Sequence, residues 1–298
     1  LRSTPRDALA AYEGAILSDN DPRFSLQPVQ SYRALTFAKL KEALADRLAH
    51  GAIEIGVVGD VDEDAVISAV ANSFGALPTR ESDFQPYPDQ HIRPFTSKRA
   101  IHRLRHLGSP DQAIVRLVWP TRDGEDPVET MQLLLLGRVA QNRLTEIIRE
   151  TLGKAYSPQA SSDISRIWRG YGTFVLTAPV APDEVSAVRS AMMQAVADLR
   201  DKPVSADELE RARAPMIEEQ NSRFKTNRGW ITLVNRAQTE ADRIERQRTA
   251  VSRLQALTAA DVQAVARRYL AADRAVEIDV LPEEKAPAKS AGPSSSVH

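Results

Sequence analysis

Apolar residues recur at helical spacing from Phe37 through Leu40 and Leu44 to Leu48, predicting a helix over 34–50. Thr36 suits its N-cap and Gly51 its C-terminal stop. Residues 53–58, with Ile53, Ile55, Val57 and Val58, read as a buried strand. The pattern at 62–74, with acids in its first turn, reads as a second helix that Gly75 and Pro78 end. Residues 79–94 carry Pro86, Pro88 and Pro94 among polar positions and read as an extended linker.

Beyond the linker the period shortens to two. Strands are expected at 99–107 and 112–119, joined by the turn Gly108-Ser109-Pro110-Asp111. A long helix follows over 125–151, with Asp126 and Glu129 spaced as a capping box and Pro127 at its first position. Gly153 ends it, and 155–165 and 171–178 read as a further strand pair. Val185, Val188, Met192, Val196 and Leu199 mark one face of a helix over 182–200. Ser205 and Glu208 form a second capping box, for a helix that Pro215 should kink. More helix is expected over 230–254 with a break, then a last helix at 258–270 and a last strand at 275–281. The Pro-, Ala- and Ser-rich residues 283–298 read as a disordered tail.

One pattern occurs twice. Ala34-Leu35-Thr36 opens a helix ending in Leu48-Ala49, followed by Ala52-Ile53-Glu54-Ile55. Ala256-Leu257-Thr258 opens one ending in Leu270-Ala271, followed by Ala275-Val276-Glu277-Ile278, some 222 residues later. Leu40, Leu44 and Leu48 fall opposite Val262, Ala266 and Leu270, so the buried stripe repeats as well. The repeat implies tandem homologous α+β domains, each a mostly antiparallel sheet packed by helices. Residues 1–80 would be the C-terminal part of a first domain, 81–95 a linker and 96–282 a nearly complete second domain. The chain opens at Leu1 with no initiator Met, signal peptide or transit peptide, and its first 21 residues read as the interior of a longer polypeptide. A fragment or processed piece is therefore expected.

Composition narrows the chemistry. The 39 Lys and Arg balance 40 Asp and Glu, which gives no support to nucleic-acid binding through a basic face. No apolar run approaches bilayer length; the densest, Leu133–Leu136, sits inside an amphipathic helix pattern. With no cysteine, disulfides, thiolate metal sites and cysteine nucleophiles are all excluded.

No H-E-x-x-H, H-x-x-E-H or G-x-S-x-G occurs. His102 and His106 have the i, i+4 spacing of a helical zinc clamp, but their flanks alternate as a strand, which would set them about 13 Å apart. They are expected to be polar strand residues. Gly170-Tyr171-Gly172 and Gly59-Asp60 fit no phosphate loop, and the many acids fall beside Arg as solvated helix pairs.

One segment stands apart: Ile148-Arg149-Glu150-Thr151-Leu152-Gly153-Lys154-Ala155-Tyr156-Ser157. It carries a helix end into a strand start through one glycine. A guanidinium at Arg149 and a phenol at Tyr156, both donors on rigid elements, can converge on one oxyanion. The same residues also suit a helix-terminal Arg that complements the dipole and a Tyr at a sheet edge.

This segment resembles the L-R-E-x-L-G-x-x-Y-S helix end found in the C-terminal halves of the insulinase/pitrilysin family of inverzincin zinc peptidases. Val57-Val58-Gly59-Asp60-Val61-Asp62, Phe74-Gly75-Ala76-Leu77-Pro78 and Leu257-Thr258-Ala259-Ala260-Asp261-Val262 also look like family domain ends. The resemblance implies the LuxS/MPP-like metalloprotease fold and two halves closing over a chamber. Zinc would be held by H-x-x-E-H and a distal Glu in the other half. It further implies that Arg149 and Tyr156 reach the peptide substrate near that zinc. This chain lacks the zinc motif, so it is expected to bind no metal and to hydrolyse nothing alone. The catalytic half would lie in the same polypeptide or in a partner subunit, in periplasm or cytoplasm. The alternative is a non-catalytic scaffold or assembly subunit of the same fold.

Overall fold

The computed structural model describes residues 2–84, 87–152 and 157–283 of the chain. Its helices are α1 (Pro5–Leu17), α2 (Val29–Arg33), α3 (Phe37–His50), α4 (Glu63–Asn72), α5 (Pro127–Leu152), α6 (Val185–Asp201), α7 (Ala206–Ser222), α8 (Asn227–Val234), α9 (Arg243–Arg248), α10 (Ala250–Ala256) and α11 (Ala259–Tyr269). The strands are β1 (Ile101–His106), β2 (Ala113–Thr121), β3 (Gln159–Ile164), β4 (Gly172–Val180) and β5 (Val276–Pro282).

The five strands form one mixed sheet in the order β1-β5-β2-β4-β3. Only the β1–β5 pair is parallel; Arg103 stands opposite Asp279 in it. Strand β2 lies at the centre, antiparallel to both β4 and β5. Its sequence reads as a continuous apolar run because both faces are covered. Ala113, Val115, Leu117 and Trp119 join the main core with α5, α6, α7, α10 and α11. Ile114 and Val118 face the other way, onto Ala8, Leu9 and Leu17 of α1. Arg116 on that second face is charged and half-buried, and is satisfied by Glu13 of α1 and by Thr177 Oγ1 at 2.7 Å. An α+β architecture of helices on a mostly antiparallel sheet is therefore observed for one unit.

Local signals place the helices. Ser205 and Glu208 close both bonds of the expected capping box. Thr36 and Thr258, equivalent in the repeat, each cap their helix, through Lys39 N at 3.2 Å and Asp261 N at 3.2 Å. Asp126 caps α5 through Val128 N and Glu129 N, but Glu129 does not turn back to complete a box. Its carboxylate points into the core to meet Tyr269. Helix α7 runs through Pro215, so the proline does not end it. The break expected within 230–254 falls between α8 and α9, with Arg236 in the left-handed region at φ 63.

The strand expected at 53–58 is absent. Those residues are extended but pair with no strand among the described residues. A strand is stable only when a neighbour satisfies its backbone groups, and none of the five strands reaches this stretch. Glu54 is instead held by Gln238 N and Thr239 Oγ1, both at 3.0 Å. Helices α3 and α4 likewise bury none of their residues. Two complete tandem domains are thus not present: one unit is folded around the sheet, and residues 29–80 present helical and extended segments with their apolar faces uncovered.

The linker is stitched to the sheet unit. Ile92 bridges Arg169, and Arg169 N donates to His91 O at 2.9 Å. The Arg93 guanidinium lies 4.1 Å from the Phe24 ring and 4.3 Å from that of Tyr171.

Candidate functional site

The end of α5 carries the first of the two residues singled out in the sequence. Leu144 and Ile148 are fully buried and anchor the last turns of the helix. Arg149, one residue on, is exposed. No described residue gives it a hydrogen bond or ion pair, so its donors face solvent. Tyr156 lies outside the described residues, as do Gly153, Lys154 and Ala155, and the structure does not speak to the convergence of the pair.

What the structure does define is how both ends of this segment are held. Gln141, two helical turns before Arg149, accepts a bond from Ala160 N at 2.7 Å and donates to Pro158 O at 2.9 Å. One side chain thereby fixes the entry of β3 to α5. Thr145 Oγ1 accepts a second bond from the same amide at 3.1 Å. Ser162 Oγ donates to Leu133 O at 2.7 Å further along. Gly137 allows this approach: a Cβ there would sit 3.3 Å from Ser162 N. On the outer side, Arg143 pairs with Glu208 at 2.7 Å and Arg211 with Glu146 at 3.1 Å, tying α7 to the same end of α5. Burial raises the Glu208 carboxyl, but hydrogen bonds from Arg143 and from Ser205 outweigh it and hold the group below the ordinary Glu value. Gln141 was not singled out from the sequence. Its signal is a Gln beside the apolar inner stripe of α5, between Ala140 and Leu144, where a half-buried amide needs partners.

The two strand histidines separate in role. His106 is buried; its Nε2 donates to Gln112 O at 2.8 Å and its Nδ1 accepts from Gly108 N at 3.1 Å. Both ring nitrogens are thus committed to the β1–β2 turn. His102 is half-buried, and burial together with the charge of Lys98 pulls its pKa below the usual histidine value. No group of three or more His, Cys, Asp or Glu side chains able to hold a metal occurs among the described residues. The residues present do not fit a zinc site. No helix among them is long and apolar enough to cross a membrane.

A model of the family described as the Peptidase M16 inactive domain matches residues 34–216. The chain belongs to the M16 (insulinase-type) peptidase family. Among curated relatives, the chloroplastic stromal processing peptidase of Pisum sativum is 21% identical over 80% of this chain and 22% of its own length. The Arabidopsis thaliana enzyme of the same name is 20% identical over 75% of this chain and 21% of its length. The chain therefore spans about a fifth of these relatives. In fold it is similar to a peptidase M16 inactive domain from Pseudomonas fluorescens, with a TM-score of 0.71 and 18% identity over 93% of this chain and 66% of that one. It is equally similar to the ferredoxin protease FusC, solved in complex with Arabidopsis ferredoxin, at TM-score 0.71 and 13% identity over 94% of this chain and 30% of that one. The M16 C-terminal-type domain fold, five mixed strands packed by helices, is the common element.

Proposed function

We propose that this M16 inactive domain is the substrate-handling part of a zinc-dependent endopeptidase. Arg149 and Tyr156 would donate hydrogen bonds to the peptide substrate near a zinc ion carried by another half or subunit. The observation that carries this reading is the exposed Arg149 guanidinium at the tip of a buried, firmly anchored helix. A donor aimed at solvent from a rigid element needs no reorganisation when charge develops opposite it. The match to an inactive-domain model agrees with a role in binding rather than in activating water. FusC, of the same fold, was solved with a protein bound to it; a polypeptide substrate for this chain follows by analogy.

The same reading includes the tandem organisation. Residues 1–80 are the end of a first α+β unit, 81–95 connect it to the second and 96–282 form the second, with α1 laid across the second unit's sheet. Leu40, Leu44 and Leu48 are exposed by 53%, 43% and 69%, whereas their counterparts Val262, Ala266 and Leu270 are fully buried. The repeat places on α3 the face that, on α11, is covered by α5, α6 and β2. The remainder of a first unit would cover it.

The test combines this chain with a catalytic half carrying H-x-x-E-H, in one polypeptide or as two subunits, and follows zinc-dependent peptide cleavage. Tyr156→Phe is expected to lower kcat by about 100- to 1,000-fold, the usual cost of one oxyanion donor, with folding intact. Wild-type turnover in that variant would refute the role of Tyr156. A combination that folds and assembles but cleaves nothing would favour the scaffold reading instead.

A further inference from the structure

A cavity of about 240 Å³ opens between α5, the end of α7, α8, α9 and the loop at Arg166. It is smaller than the roughly 300–1,000 Å³ of pockets that hold small-molecule ligands, a size suited to one residue of a larger partner. Its floor is apolar, from Met131, Leu134 and Ala250. Its wall carries four guanidinium groups and no carboxylate.

The donors divide into used and free. Arg243 spends its guanidinium on Leu233 O, Thr232 O and Glu240. Arg246 spends its own on Gly124 O, Glu125 O and Asp242. These two build the wall. Arg166 engages Glu240 and Asp242 through Nη2 alone, at 3.5 and 3.2 Å. Arg223 donates Nη1 to Gln247 Oε1 at 3.0 Å, and its Nη2 lies 3.9 Å from the Glu219 carboxylate. Gln220 uses its oxygen to accept from Gln247 Nε2 at 3.0 Å, which leaves its own NH2 without a hydrogen bond among the described residues. Arg166 Nη1, Arg223 Nε and Gln220 Nε2 therefore have no partner among the described residues, whereas the acceptors beside them are engaged. Burial would raise the nearby Asp242 carboxyl, but Arg246 and Arg166 hold it below the ordinary Asp value, so it stays charged and bound.

Free donors on two guanidiniums and an amide, above an apolar floor, match a carboxylate on a short aliphatic stem. We infer that this cavity binds a carboxylate of a polypeptide, either a chain terminus or an Asp or Glu side chain. It lies some 15 residues along α5 from Arg149, or about 22 Å, so it would grip the polypeptide well away from the scissile bond. In taking a polypeptide as ligand it rests on the peptidase reading above; the binding itself needs no catalysis and can be read on this chain alone.

Three labelled short peptides supply the test by fluorescence anisotropy. One has a free C-terminal carboxylate and no acidic side chain, one an amidated end and a single central Glu, and one an amidated end with Gln in its place. At least one carboxylate peptide is expected to bind about tenfold or more tightly than the neutral one. Preference between the first two names the source of the carboxylate. Gln220→Glu, nearly the same shape but negatively charged, and Arg223→Gln should each remove that preference. Equal binding of all three peptides, or unchanged preference in both variants with a native circular-dichroism spectrum, would overturn the site. Those results leave the Tyr156→Phe measurement unaffected, and a null Tyr156→Phe result leaves this site standing, so the two readings fail separately.

Discussion

Tyr269 donates its phenolic proton to Glu129 at 2.8 Å, joining residues 140 positions apart. Both side chains are buried, and Arg268 also donates to the same carboxylate oxygen. The pair locks the first turn of α5 to the last turn of α11, two helices that pack against each other in the main core. It also explains why Glu129 abandons the capping box: a buried acceptor facing a phenol and a guanidinium outweighs a solvated bond to a backbone amide.

Tyr269→Phe should therefore destabilise the fold by about 1 kcal/mol, and Glu129→Ala, which strands a buried phenol, by about 1–3 kcal/mol. Urea denaturation measures both. Burial, then the hydrogen bond to Glu129 and its charge, raise the Tyr269 pKa above its usual value, against a smaller opposing effect of Arg268. A raised folded-state pKa favours the neutral phenol. That contribution is complete below the unfolded tyrosine pKa of about 10 and is lost as pH rises toward the folded value. Wild-type stability should fall on the alkaline side above about pH 10, more steeply than in Tyr269→Phe. Parallel alkaline limbs in the two proteins would contradict this.

Much of the fold was legible in the sequence, since helix stripes, capping residues and the β2 and β4 runs are local signals. The Ser205 box and the Thr36 and Thr258 caps form from residues within three positions of each other. The strand at 53–58 is absent for a non-local reason: its apolar positions are real, but a ladder needs a neighbour, and the described residues bring none to it. Glu129 was misassigned because its deciding partner lies 140 residues away. At the site, Arg149 could be picked from its place in a motif, whereas Gln141 acts through a packing geometry that no spacing announces. The arginine-walled cavity was equally hidden, because its residues come from 131 to 250 and meet only in the fold.

Exposed and buried halves of the repeat give a direct test of the tandem organisation. Leu270 is fully buried, and Leu270→Ala should cost about 2–5 kcal/mol. Leu48, its counterpart, is 69% exposed, and Leu48→Ala in this chain should change stability by less than about 0.5 kcal/mol. In a longer polypeptide that supplies the rest of the first unit, Leu48→Ala should become as damaging as Leu270→Ala. Chemical denaturation of the two lengths, with and without each substitution, decides it. If Leu48→Ala stays silent in the longer polypeptide, the apolar face of α3 has another fate and the duplication fails.

Gln141 is the side chain that ties the start of β3, just past the Arg149-to-Tyr156 segment, to α5. Its amide reaches the strand at both Pro158 O and Ala160 N, so one helix position fixes where β3 begins. Gln141→Met preserves length and apolar packing while removing both bonds. The Ala160 amide would then lose its acceptor, and its hydrogen exchange should accelerate by about tenfold, the equivalent of roughly 1.4 kcal/mol. Global stability should fall by about 1 kcal/mol, since a half-buried amide loses its acceptor. Amides at the centre of β2, two strands from β3 in the sheet, should hold once the global loss is subtracted, which separates local loosening from unfolding. In the assembled peptidase the same variant should lower kcat with little change in KM, because a misplaced donor weakens the transition state more than the bound substrate. Unchanged Ala160 exchange would show that β3 holds its position without Gln141, and the positioning role would be lost.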